Sequence, residues 1–187
     1  SSLMMSKRIA VAILNWNGRK WLEQFLPNVI EHSCSMADVV LIDNGSTDDS
    51  IAFCETHFPD VTIVSLDQNH GFAGGYNEGL KELQHEYFVL LNSDIEVTPH
   101  WLQSPIEWLD RDPLLAACQP KILSYQQKDE FEYAGACGGY LDQDGYAFCK
   151  GRIFFSYEQD QGQYQGQHEV FWATGAALII KSKAWRE

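Results

Sequence analysis

The chain has 187 residues, is 45% apolar and carries a net charge of −13. That apolar content suffices for one sizeable buried core, and so for one domain or one domain with an appendage. The acidic balance disfavours nucleic acid and anionic membrane surfaces as nonspecific partners, so an anionic ligand must be held by local devices, a bound cation or aimed backbone N–H groups.

In chain order, the run Ile9 to Leu14 is short, apolar and rich in β-branched residues, and it predicts a buried strand. Trp21, Leu22, Phe25, Leu26, Val29 and Ile30 recur at helical spacing, with Pro27 expected to kink that helix or mark its restart. Val39 to Ile42 predicts a second strand, and Thr47 to Phe58 a helix capped by Ser46 or Thr47 with Asp48 and Asp49 in its first turn. Val61 to Leu66 predicts a third strand, Phe72 to Leu83 a helix opened by glycines, and Tyr87 to Leu91 a fourth strand. Trp101 to Leu109 predicts a helix and Leu115 to Leu123 a fifth strand. From Ser124 to Glu169 the chain is rich in Gln, Gly, Asp and Tyr, and is expected to form loops and short strands bordering a cleft. Phe171 to Ile180 ends the pattern as a turn and a final buried strand.

Four alternations of strand and helix with short connections predict an α/β fold, a mostly parallel central sheet covered on both faces. In such sheets ligands bind beyond the carboxyl ends of the strands. Those ends here are all polar: Asn15-Trp16-Asn17, Asp43-Asn44-Gly45-Ser46, Gln68-Asn69-His70-Gly71 and Asn92-Ser93-Asp94.

The five cysteines form no CxxC pair, which argues against a zinc site or a disulfide framework and for reduced thiols in a cytoplasmic protein. The longest apolar stretches are too short to cross a bilayer, and Ser1 to Ser6 lacks the apolar region of a secretory signal.

Each polar tip has two readings. Asp94, after five apolar residues, can ligate a divalent cation that clamps a diphosphate, and oxygen ligation suits Mg²⁺ or Mn²⁺; the same tripeptide is also a good turn. Asp43 can accept hydrogen bonds from a base or ribose, or it can close a strand-to-helix turn that Gly45 permits. The glycines of Asn69 to Asn77 open a helix whose N-terminal N–H groups suit a phosphate, but their spacing and position are not those of a dinucleotide fingerprint. His70 could be a ligand or an acid, or simply a loop histidine. Trp172 could pack beside a sugar ring or in the core.

Taken in order, N-W-N-G, D-N-G-S-T-D, N-x-G-F-A-G-G-x-N, L-L-N-S-D and W-x-T-G-A-A resemble the family 2 glycosyltransferases of the GT-A fold, and within them the bacterial rhamnosyltransferase-like branch. The resemblance covers about residues 8 to 123 and 170 to 183. It implies a Rossmann-like three-layer sandwich in a single GT-A domain. Residues 1–123 would be its nucleotide-sugar-binding half, and 124–187 the start of an acceptor-side half. It implies that Asn15, Trp16 and Asn17 line the nucleotide pocket, that Asp43 meets a uracil- or thymine-type base or its ribose with Ser46 nearby, and that Asn69, Gly71, Asn77, Asn92 and Ser93 border the donor. Asp94 becomes the metal carboxylate, with Asn92 where many members have Asp. Trp172, Thr174, Gly175 and Ala176 become the acceptor-side wall. The partners implied are a UDP- or dTDP-type sugar donor and a glycan or lipid-linked acceptor in cell-surface polysaccharide synthesis. The setting implied is the inner face of the plasma membrane.

Inverting transfer needs a base to deprotonate the acceptor hydroxyl, and the family resembled supplies it from an acidic motif downstream of the T-G-A strand. The sequence ends at Glu187 before any such motif, so the domain is expected to be C-terminally incomplete, to bind donor and to transfer poorly. Asp142, Asp144 and Glu169 are candidate substitutes, and apolar surface near Trp185 is expected to favour self-association into a homo-oligomer. Three alternatives compete. A nucleotidyltransferase would need a Gly-rich basic loop after strand one, which Asn15 to Lys20 does not provide. A non-catalytic nucleotide- or glycan-binding module would share the pocket without turnover. A generic α/β domain would have turns at its tips and no ligand.

Overall fold

The computed structural model describes residues 6–120 and 177–186, together with the backbone of 140–141 and 147–150. The elements are β1 (Ile9–Asn15), α1 (Arg19–Ser33), β2 (Ala37–Asp43), α2 (Ser50–His57), β3 (Thr62–Ser65), α3 (Gly71–Leu80), β4 (Tyr87–Leu91), α4 (Gln103–Arg111), β5 (Leu115–Gln119), β6 (Tyr140–Leu141), β7 (Ala147–Lys150), β8 (Leu178–Lys181) and a short α5 (Ser182–Arg186). They build an eight-stranded sheet in the order β3-β2-β1-β4-β8-β5-β7-β6. Its first four strands run parallel. Beyond β4 the pairings are antiparallel, with β8 between β4 and β5.

Because side chains alternate across a strand, the buried strands feed two separate cores. Ile9, Val11 and Ile13 of β1, Val39 and Leu41 of β2, and Val89 and Leu91 of β4 meet Leu22, Leu26 and Val29 of α1, Phe53 of α2, and Ile106 and Leu109 of α4. Ala10 and Ala12, Val40 and Ile42, and Phe88 and Leu90 face the other way, against Tyr76 and Leu80 of α3. This is the three-layer α/β arrangement. The α3 layer lies unusually close to the sheet: a Cβ on Gly79 would stand 2.5 Å from Cγ2 of Ile42, and one on Gly75 would stand 2.7 Å from Cδ1 of Leu14.

Three local expectations change. Helix α1 runs without restart through Pro27, which is exposed, so water can serve the Glu23 carbonyl that loses its N–H partner. Helix α2 starts at Ser50 rather than Thr47, because the residues expected to cap it are engaged elsewhere. Ser46 binds Asp43 and Thr47 binds Asn17, while Oδ1 of Asp48 turns the chain into the helix by accepting from N of Ser50 at 3.0 Å and from its Oγ at 2.5 Å; Asp49, at the N-cap, makes no side-chain capping bond. Helix α3 ends at Leu80, three residues short of the expected end, and Leu83 closes a turn onto Leu80 instead. Trp185 is half-buried and packs against the α3 side of the core.

The direction in which successive strands are laid down reverses between β1 and β4, although the strands themselves stay parallel. The chain steps outward from β1 through β2 to β3, and helix α3 then carries it back across the sheet to β4 on the other side of β1. The carboxyl ends of β1, β2 and β4 therefore meet at a topological switch point, where open α/β sheets bind ligands. With strands about 4.8 Å apart, the tips of β2 and β4 lie about 10 Å apart across β1.

Candidate functional site

The strand tips are organised around two buried side chains. Asn15 ends β1 and Asp43 ends β2, paired in register, and each is 1% exposed. Oδ1 of Asp43 accepts hydrogen bonds from Nδ2 of Asn15 at 3.0 Å and from Oγ of Ser46 at 2.7 Å, while Oδ2 accepts from the backbone N–H of Ser46 at 2.9 Å. No cation bonds this carboxylate among the described residues; dipoles alone hold the buried charge. The Ser46 hydroxyl in turn accepts from Nδ2 of Asn15 and from the backbone N–H of Asn17. Asn17 sits at a positive φ of 48°, and its Oδ1 accepts from the N–H groups of Thr47 and Asp48. The β1 and β2 tips are thus one hydrogen-bonded unit. It leaves Trp16 and Asn17 exposed and keeps the Ser46 hydroxyl and the Asp43 carboxylate inward.

Asn44, next in sequence, joins that unit to the start of α3. Its backbone N–H donates to the Asn15 carbonyl, its Nδ2 donates to Oδ1 of Asn69 and to the Gly71 carbonyl, and its Oδ1 accepts from N–H of His70. Asn69 also receives the Gly71 N–H at 2.8 Å. Gly45 permits this closeness: its φ is +75°, and a Cβ there would stand 2.6 Å from the Gln68 backbone carbon. His70 is turned to Oδ1 of Asp67 at 3.0 Å. Phe72, in the first turn of α3, is 61% exposed and Trp16, at the β1 tip, is 56% exposed.

Asn92-Ser93-Asp94 follows β4 on the other side of β1. Asp94 is exposed and has no hydrogen-bond or ion-pair partner among the described residues. The contrast between the two carboxylates is what distinguishes their roles: Asp43 is buried and saturated, Asp94 open and unused. A hard, exposed carboxylate oxygen at a switch point fits a cation that takes its other ligands from phosphates and water, as Mg²⁺ commonly does. No cluster of three His, Cys, Asp or Glu side chains that would cage a metal without such a ligand occurs among the described residues.

Of the residues expected at the site, Asn15, Asn17, Asp43, Ser46, Asn69 and Gly71 belong to this hydrogen-bonded set, Trp16 lies between two of its members in the chain, and Asn92, Ser93 and Asp94 follow β4, the strand on the other side of β1. Asn77 lies one and a half turns into α3 and is half-buried. Trp172, Thr174, Gly175, Ala176, Asp142, Asp144 and Glu169 lie outside the described residues. Asn44 escaped the sequence reading, although its position at a strand tip beside Asp43 was an available signal.

The profile of Glycosyl transferase family 2 matches residues 10–185. The chain belongs to that family. An uncharacterized glycosyltransferase of Nostoc sp. (strain PCC 7120) is 30% identical over 103 residues, 54% of this chain and 32% of that protein. The poly-beta-1,6-N-acetyl-D-glucosamine synthase of Staphylococcus aureus (strain COL) is 27% identical over 104 residues, 54% of this chain and 25% of the synthase. The chain therefore spans a quarter to a third of these relatives' length. Among solved structures, the mannosyltransferase PcManGT from Pyrobaculum calidifontis, in complex with GDP-Man and Mn²⁺, superposes with a TM-score of 0.52 at 27% identity, over 61% of this chain and 35% of the other. The family 2 chain thus shares its backbone arrangement with a GT-A glycosyltransferase.

Proposed function

We propose that this chain is the donor-binding part of an inverting glycosyltransferase that moves a sugar from a UDP- or dTDP-type donor to a glycan or lipid-linked acceptor. The observation that carries this reading is the unpartnered carboxylate of Asp94, set across β1 from a tip network whose own carboxylate is fully committed. The nucleoside end of the donor lies over the β1 and β2 tips. Trp16 offers a flat face there, and Ser46, Asn17 and the backbone held by Asp43 offer polar contacts. The glycine-opened start of α3, braced by Asn44 and Asn69, borders the donor. Asp94 holds Mg²⁺ or Mn²⁺, with Asn92 and Ser93 beside it. The cation, when bound, neutralises the charge that develops on the departing diphosphate. The chain's own residues bind and orient; the base that takes the acceptor proton is not assigned among the described residues. Trp172, Thr174 and Gly175 form the acceptor side in this reading. No helix among the described residues is long and apolar enough to cross a membrane, and we place the reaction at the inner face of the plasma membrane as a peripheral event.

The test is release of nucleoside diphosphate from UDP-, dTDP- and GDP-sugars in the presence and absence of Mn²⁺. Metal-dependent release from one donor class, lost in Asp94→Ala, is expected. Metal-dependent nucleotide binding with no release from any donor would favour a non-catalytic binding module.

A further inference from the structure

We propose that Asn28 and Tyr76 are positioning residues that clamp the Asp94 segment at both ends and so fix where its carboxylate meets the cation; this rests on the assignment of Asp94 as the metal carboxylate. Residues 92–94 link the end of β4 to a stretch that is buried again at Ile95, 3% exposed, and Val97, 2% exposed. Loops of this kind move unless something outside them holds them.

At the entry, the hydroxyl of Tyr76 on α3, itself 1% exposed, donates to the Leu91 carbonyl at 3.2 Å and also bonds the backbone of Leu14. A single phenol thereby ties the tips of β1 and β4 together where the strands part. At the exit, Asn28 on α1 uses both ends of its amide on one residue: Nδ2 donates to the Val97 carbonyl at 3.1 Å, and Oδ1 accepts the Val97 N–H at 2.7 Å. It engages both backbone groups of Val97, next to the β-bridge that Glu96 forms. Farther on, Nε1 of Trp101 donates to Oγ of Ser33 on the same helix at 3.0 Å.

The two anchors come from meaningful places. Helix α1 begins directly after the Asn15 to Gly18 tip, and α3 begins at Gly71. The helices whose starts border the nucleotide are therefore the ones that hold the metal-bearing segment. Cation and nucleotide sites are registered through rigid elements rather than through the loop.

Partners that orient a metal ligand from behind commonly cost 10–100-fold in metal affinity when removed, so loss of either anchor should weaken Mn²⁺ about tenfold. Two near-isosteric variants test this. Asn28→Asp keeps size and the acceptor for the Val97 N–H but sets an oxygen against the Val97 carbonyl; Tyr76→Phe removes only the hydroxyl. The nucleoside diphosphate among UDP, dTDP, GDP and CDP that binds tightest in EDTA is added to saturation. Free Mn²⁺ is then followed by electron paramagnetic resonance during titration, and nucleotide affinity in EDTA is measured alongside. Expected is a Kd for Mn²⁺ raised about tenfold in both variants with nucleotide affinity in EDTA unchanged, and near-complete loss in Asp94→Ala. If Asp94→Ala loses Mn²⁺ while both variants keep the wild-type Kd, the clamp is wrong and the site stands. If both variants lose nucleotide affinity in EDTA in the same proportion, their role is general folding and the clamp is overturned. If Asp94→Ala binds Mn²⁺ normally, the metal assignment fails and takes the clamp with it.

Discussion

Replacing Asp43 with asparagine should destabilise the fold by about 2–4 kcal/mol although it changes no heavy-atom count. The carboxylate accepts from Nδ2 of Asn15, Oγ of Ser46 and N of Ser46, and it is 1% exposed. An asparagine that keeps its oxygen toward Asn15 points its NH₂ at the backbone N–H of Ser46, two donors at 2.9 Å with no room to turn away. An orphaned buried donor costs about 1–3 kcal/mol, and the two surviving bonds lose the charge assistance that roughly doubles their strength. Relief of the buried charge offsets part of this, which leaves the stated range. For a domain of this size it corresponds to a melting temperature lowered by about 5–15 °C. Thermal unfolding checks the temperature and urea unfolding the free energy. A variant within about 0.5 kcal/mol of wild type would mean that Asp43 is not the keystone of the β1–β2 tip.

Gly79→Ala raises helix propensity by about 1 kcal/mol, yet its Cβ would stand 2.5–2.8 Å from three carbons of the fully buried Ile42. Overpacking of about 1–3 kcal/mol should win and lower the urea midpoint; a raised midpoint would show that α3 can lift off the sheet. At the opposite end of the sheet, the Asp110 carboxyl is held below the usual carboxylate range by its hydrogen bond from Arg8, with a further one from Tyr87 against the cost of burial. A depressed folded value means that the stabilisation is complete above the ordinary value of about 3.9 and fades as pH falls through the lower folded value. The stability gap between wild type and Asp110→Asn should therefore close on acidification below roughly pH 4, and a gap constant with pH would contradict the pairing.

What the sequence made legible follows from the range of the forces involved. Strands buried on both faces need apolar side chains at every position, so β1, β2 and β4 stood out, and β4 occupies the predicted Tyr87 to Leu91. Polar residues just past those strands were equally visible, and most of the proposed site gathers there. Helix starts were less legible, because Ser46 and Thr47 are both good caps by residue type and only the tertiary demands of Asp43 and Asn17 on them move the start of α2 to Ser50. The placement of β8 between β4 and β5 depends on pairing across distant segments and has no local signature. Asn28 looks like an ordinary polar helix residue, since its partner Val97 is 69 positions away. Tyr76 reads as a core aromatic, because nothing nearby in sequence betrays what its hydroxyl reaches.

The most direct measurement is a thermal-shift panel of UDP, dTDP, GDP and CDP, each with Mn²⁺ or EDTA, on wild type and Asp94→Ala. The account predicts a melting temperature raised by one nucleotide class above the others, a further rise with Mn²⁺, and loss of that metal increment alone in Asp94→Ala. Equal shifts with all four nucleotides, untouched by Mn²⁺ and by the substitution, would contradict it.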